Sequence, residues 1–193
     1  MIATPDAVVG EVAAAVEPVA GTVVAHMAGS LGLDVLGAHP RRASIHPLVA
    51  LPNTDVGAER LRRGWFALAG DPLVRRVVDD LGGQWFAVAD EDRATYHAAA
   101  CIASNHLVGL LGQAERVGAA AGVPREAFLD LVRATVENVA TLGAADALTG
   151  PAARGDAETI ERHRAAIDPS EIGAYDAMVD LARRLLVEPV KAR

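Results

Sequence analysis

The sequence predicts an α/β segment followed by an all-α segment. Three observations carry that reading. Short β-branched or aromatic runs at residues 22–26, 43–46, 65–69 and 84–88 alternate with helical stretches. No strand-like run follows Asp90. Alanine, the best helix former, supplies 40 of the 193 residues, against 4% aromatic. The texture changes near residues 89–93, which places two domains at 1–89 and 90–193.

In the first half, residues 1–3 read as a short apolar run. Asp6 is a candidate N-cap for a helix over 7–17, whose Val8, Val9, Val12 and Val16 form its apolar face, with Pro18 and Gly21 as its stop. Residues 27–30 read as a small-residue turn and 31–36 as a short helix. Asp71-Pro72 opens a helix over 73–81, closed by Gly82-Gly83. Strands of four or five residues separated by helices predict a mostly parallel sheet. Trp65 and Trp85 begin two of the strands and read as core.

The second half reads as four helices. The first spans about 93–121, with Asp90-Glu91-Asp92 as its cap and Gly122 as its stop. Its interior is built of alanine and is apolar nearly all round, which predicts burial in protein. It is too interrupted by Gly, His, Asn and Gln to favour a membrane. The second runs to about Leu142 from Pro124, the third opens at Asp156, and the fourth opens at Asp168-Pro169-Ser170-Glu171, a capping-box arrangement. Between the second and third lies a polar loop over 144–155.

A net charge of −7 without a basic run points away from nucleic acid. One cysteine, Cys101, rules out an internal disulfide, and no basic-then-apolar leader opens the chain, so a cytoplasmic setting is expected.

The stretch from Tyr96 to Asn105 is the most informative. At α-helical spacing His97, Cys101 and Asn105 stack at i, i+4 and i+8, with Tyr96 and Ser104 in the adjacent row. Two readings stay open. The row lines a cleft, where His97 moves a proton and Asn105 orients a substrate carbonyl or carboxylate. Or it is a satisfied buried network that sets helix register. No second ligand pair supports a metal site.

Elsewhere, Thr149, Arg154 and Asp156 mark the 144–155 loop and its exit. Arg154 either clamps an anionic substrate or belongs to a structural turn with Asp156. His163 lies further along the same region. Asn138, on the Val136–Val139 side of its helix, needs a polar partner. His26 and His46 each end a strand, near Ser30 and Thr4-Pro5, at the edge where open sheets bind ligands. No G-x-G-x-x-G is present, and Gly29-Ser30-Leu31-Gly32 reads as a turn.

These residues taken together resemble a known family. Thr4-Pro5-Asp6, His26 with Gly29-Ser30, His46-Pro47, Tyr96-His97-Ala98-Ala99-Ala100, Ser104-Asn105, Leu148-Thr149-Gly150-Pro151, and Arg154-Gly155-Asp156 with His163 resemble the oxidoreductase-like family with a C-terminal domain of unknown function 2520. That family is related to the 6-phosphogluconate dehydrogenase, pyrroline-5-carboxylate reductase and ketopantoate reductase group. The resemblance implies the C-terminal part of a Rossmann-like sheet followed by a 6-phosphogluconate-dehydrogenase-like helical domain that pairs subunits. It implies NAD or NADP as cofactor, with Ala3, Thr4 and Pro5 at its ribose and His26, Ser30 and His46 flanking the nicotinamide. It places His97 and Asn105 toward the substrate; Tyr96 and Ser104 beside them complete the candidate catalytic set, and Asn138, Thr149, Arg154 and His163 are the candidate substrate contacts. Relatives carry a catalytic lysine on the equivalent helix; this chain has none there.

The family opens with a strand and a Gly-rich loop, whereas this chain enters at what matches a later strand. The resemblance therefore predicts a truncated or late-started oxidoreductase, with dinucleotide binding weak or absent. The expected function is NAD(P)-dependent oxidation or reduction of a small, carboxylated substrate in a homodimer that contacts neither nucleic acid nor membrane. The alternative is a non-catalytic dimeric helical module with a vestigial nucleotide-binding domain.

Overall fold

The computed structural model describes residues 1–51 and 53–187. It forms two compact units, Met1–His106 and a second from Leu107 onward.

The first unit is built on a four-stranded sheet in the order β1 (Val23–His26), β2 (Arg41–Pro47), β3 (Trp65–Gly70) and β4 (Gln84–Ala87). All four strands fall where the β-branched runs place them. The sheet is mixed, which corrects the mostly parallel expectation. β1 pairs parallel with β2, β2 antiparallel with β3, and β3 parallel with β4. Ile2 adds a parallel bridge to His26, with its amide donating to Ala25 O at 2.7 Å, so the first residues run beside β1. β3 ends at Gly70, at φ +79°, where a Cβ would overlap Arg42 O. A side chain cannot sit that close to the neighbouring strand.

The helices of this unit are α1 (Val9–Ala14), α2 (Thr54–Leu61), α3 (Leu73–Asp80) and α4 (Arg93–Cys101). α1 is shorter than the 7–17 expectation, because its first turn, Asp6–Val8, is a 3-10 turn. α2 has no counterpart in the sequence reading; Asn53 Oδ1 caps it by accepting from Val56 N at 3.0 Å. Asp71 Oδ1 accepts from Leu73 N at the start of α3, as the Asp-Pro signal predicts.

One face of the sheet is a dry core. Ala25, Ala43, Ile45, Phe66 and Leu68 pack there against Val74 and Val78 of α3. Side chains alternate along a strand, so His26, Ser44 and His46 fall on the opposite face. Val24 on that face closes a second core with Ile2, Val9, Ala13 and Leu36. Trp65 and Trp85 are 47% and 37% exposed, contrary to the core expectation. They sit at strand starts, where the sheet has no cover, and Arg75 stacks over the Trp85 ring at 4.8 Å.

The predicted 93–121 helix is interrupted. After α4 comes a π-helical turn, Ile102–His106, and then α5 (Leu107–Ala119). Residues 102–110 are exposed, so the expected burial of this stretch is not found in the single chain. The second unit continues with α6 (Arg125–Leu142), α7 (Ala144–Ala147), α8 (Gly150–Arg154), α9 (Ala157–Ala166) and α10 (Pro169–Val187). Two short helices therefore occupy most of the predicted polar loop. Asp156 does cap α9, accepting from Thr159 N at 3.0 Å. α5 and α10 are tied by Arg116, which donates through Nε and Nη2 to both carboxylate oxygens of Glu171.

Candidate functional site

The C-terminal end of β2 delivers His46, and the first turns of α4 deliver Tyr96 and His97. The Tyr96 hydroxyl lies 2.6 Å from His46 Nδ1. The His46 ring meets the Tyr96 and His97 rings edge-on, at centroid separations of 5.5 and 5.7 Å. Phe86 of β4 packs against Tyr96 from the other side, at 5.7 Å. Gly29 makes the crowding possible. A Cβ there would overlap His97 Cδ2 and come within 2.8 Å of His46 Nε2.

This cluster opens on a cavity of about 680 Å³, large enough for a small metabolite. Its wall runs from His46 through Ala50, then Phe86, Tyr96, His97 and along the helix to Ser104 and Asn105. All four candidates on the helix, Tyr96, His97, Ser104 and Asn105, thus share one cavity. His97, Cys101 and Asn105, set at i, i+4 and i+8, all line it, although the last of them lies in the π-turn. The π-turn widens the helix by its own geometry, so Ser104 and Asn105 reach the cavity by a bulge. Cys101 lies beside His97, with Sγ 3.9 Å from Nε2.

Burial depresses the His46 pKa to about 4, and the neighbouring His97 and the Arg93 cation push it the same way. Burial raises that of Tyr96, with Arg93 opposing. Near neutral pH the pair is therefore an uncharged imidazole against an un-ionised phenol, and the imidazole tautomer decides which of the two donates across the 2.6 Å contact.

A second cavity, of about 280 Å³, adjoins on the other side of His46 and is lined by Ala3, Thr4, Asp6, Met27, Ala28 and Pro47, among others. Thr4 Oγ1 is buried there without a partner. The structure thus brings Ala3, Thr4 and His46 to one cavity at the strand ends. Pro5 is exposed and precedes the Asp6–Val8 turn. Ser30 donates to Asp6 Oδ2 at 3.0 Å. His26 is fully buried; neither ring nitrogen makes a well-formed hydrogen bond, and the Gly32 backbone is the polar group near it.

The remaining candidates lie in the second unit. His163 Nδ1 lies 2.8 Å from Tyr175 Oη, at the rim of an apolar cavity of about 450 Å³ walled by Leu110, Val117, Ile167 and Met178. Asn138, Thr149 and Arg154 are exposed and do not line that cavity. Thr149 precedes α8 without a side-chain cap, and Arg154 ends it.

Sequence reasoning missed Arg93. It is the largest fully buried side chain among the described residues, with Nη2 donating to Ala28 O at 2.9 Å. Its signal was present: Arg93 stands three residues before Tyr96, on the row that turns inward. The Asp-Glu-Asp run does not cap α4 either. Asp90 instead reaches back to accept from Leu33 N at 2.8 Å.

A family model described as "Domain of unknown function (DUF2520)" matches residues 68–182. No curated protein matches the sequence. Among solved structures, protein TM1727 from Thermotoga maritima is 26% identical with a TM-score of 0.77, covering 98% of this chain and 78% of its own. A 1-pyrroline-5-carboxylate reductase from Streptococcus pyogenes is 21% identical with a TM-score of 0.59, covering 96% of this chain and 74% of its own. A reductive aminase from Aspergillus terreus, solved with NADPH and ethyl levulinate, is 15% identical with a TM-score of 0.65, covering 95% and 72%. The fold is that of NAD(P)-dependent oxidoreductases: a Rossmann-like sheet unit followed by a helical unit.

Proposed function

The chain belongs to the family described as domain of unknown function 2520, and on that footing we propose that it is an NAD(P)-dependent oxidoreductase acting on a small substrate in the cavity beside Tyr96. One observation carries the proposal. The Tyr96–His46 contact, 2.6 Å long, opens on a cavity at the carboxyl end of β2, the kind of strand end at which open α/β sheets hold ligands.

The smaller cavity suits the nicotinamide end of the cofactor. It is sized for one aromatic amide, and the buried, unpartnered Thr4 Oγ1 is a hydrogen-bonding group in need of a mate. Its lining includes no lysine or arginine, so it fits the ring and ribose rather than the phosphates. Ala3, Thr4 and Ala28 would hold that end. When bound, the nicotinamide supplies or accepts hydride. The chain's own residues manage the proton: Tyr96 gives its phenolic proton to the substrate oxygen or nitrogen, while His46, neutral and carrying its own proton on Nδ1, donates a hydrogen bond to the phenol oxygen and steadies the tyrosinate that is left. Asn105 and Ser104 orient the substrate from the far wall.

A carboxylate on the substrate is part of the reading. The 680 Å³ cavity has no lysine or arginine in its wall, so a carboxylate there would be met by the neutral donors Ser104 and Asn105. A homodimer is also proposed. Leu131, Val139 and Leu142 lie along one side of α6 and are 64%, 42% and 54% exposed, an apolar strip of the kind that pairs subunits.

The test has two arms. Amide NMR with reduced nicotinamide mononucleotide, raised to about 1 mM where weak sites still fill, is expected to shift Thr4, Ala28 and His46. Silence at all three overturns the cofactor site. A panel of small aldehydes, ketones and imines, with and without a carboxylate, reads turnover with NADPH. Turnover undiminished in Tyr96→Phe overturns Tyr96 as donor.

A further inference from the structure

Arg93 has no part in the chemistry above, yet its surroundings are unusual. Its side chain is fully buried at the start of α4. Among the described residues no carboxylate lies within ion-pair distance, its one hydrogen bond goes to Ala28 O just past β1, and Nε and Nη1 are buried without partners. A buried cation in that state is costly.

The residues around it are those of the candidate site. Tyr96 lies one turn along the same helix, His26 ends β1, and His46 ends β2 beside the Tyr96 hydroxyl. His26 and Ser44 are also fully buried with unpartnered polar atoms, and they sit opposite each other in the β1–β2 register. The polar face of the sheet is therefore a layer of uncharged side chains with one buried cation beside it.

We propose that Arg93 is a positioning residue for the proton-handling pair, its unpaired guanidinium supplying the fixed field in which Tyr96 and His46 work. The inference rests on the reading of Tyr96 as proton donor, but the field itself is measurable without turnover. The charged and titratable groups that act on the pair are Arg93 and His97 on α4, His26 on β1 and Asp6 before α1, while Asp90 before α4 acts on His26 and on Arg93 itself. Arg93 opposes the effect of burial on Tyr96 and holds both buried imidazoles toward the neutral form. Without it, burial acts on the phenol unopposed, and Tyr96 becomes a poorer acid.

The chain has two tyrosines, so Tyr175→Phe leaves Tyr96 alone. With 3-fluorotyrosine incorporated, fluorine NMR follows its ionisation below strongly alkaline pH, and nitrogen-detected NMR follows His46. In this background Arg93→Met and Arg93→Gln are expected to raise both midpoints by about half a pH unit or more, while Arg93→Lys leaves both within about 0.2. If either midpoint stays put in a folded neutral variant, the proposal falls. It also falls if neither neutral variant folds while Arg93→Lys does, because the charge is then structural. Turnover lost in Tyr96→Phe but unchanged in a shifted Arg93→Gln protein rejects the working role of the field and leaves the oxidoreductase reading standing. No turnover in any protein, with the midpoints shifted as expected, does the reverse.

Discussion

The Tyr96 hydroxyl meets His46 Nδ1 at 2.6 Å across fifty residues of chain and two different elements, a helix and a strand. Hydrogen-bonded pairs of this kind are partly buried only where both members are held by packing. Here Phe86 packs on Tyr96 and His97 packs on His46. The pair can therefore be probed one member at a time.

Tyr96→Phe keeps the ring and removes the hydroxyl. Turnover is expected to fall about 100-fold or more, the usual scale for loss of a positioned acid. Folding stability is expected to fall by only about 1 kcal/mol, since His46 Nδ1 loses its partner. Steady-state kinetics and urea unfolding on the same preparation check both.

The depressed His46 pKa, about 4 with burial as its main cause, makes stability depend on pH. Between that value and the unfolded value near 6.5, the unfolded chain holds more proton than the folded one. The folded state therefore loses stability as pH falls through this window and gains none above it. The integrated effect is at most about 3 kcal/mol. Urea unfolding at pH 4, 5, 6 and 7 should show the slope in the unmodified protein and a flatter one in His46→Gln.

Gly29→Ala tests the close approach of the two imidazoles. Its Cβ would overlap His97 and press on His46 Nε2, so one ring must move. A loss of about 1–3 kcal/mol is expected, the range for overpacking. The ring resonances of His46 and His97 should shift together. Unchanged His shifts and melting temperature would show that the backbone relaxes instead.

The apolar strip on α6 predicts self-association. Sedimentation at tens of micromolar (about that range, where weak interfaces populate) should give a dimer for the unmodified chain. Leu131→Lys with Leu142→Lys should give a monomer with unchanged helix content. A clean monomer from the unmodified chain would leave these side chains exposed in solution.

Much of this molecule follows from local rules. The strands lie where β-branched runs are bounded by turn residues, and α6, α9 and α10 start at Pro124, Asp156 and Asp168 for the reasons that caps and proline impose. Tyr96, His97, Ser104 and Asn105 stand out in a helix of alanines because nothing in helix formation calls for them. These features depend on a few neighbouring residues, which the order of amino acids contains in full. The antiparallel pairing of β2 with β3, the approach of His46 to Tyr96, the sealing of Arg93 and the widened turn at Ile102–His106 depend instead on which distant segments pack together. Each is a balance of burial, unpaired polar groups and backbone crowding summed over the whole unit, and no short stretch of residues carries that sum.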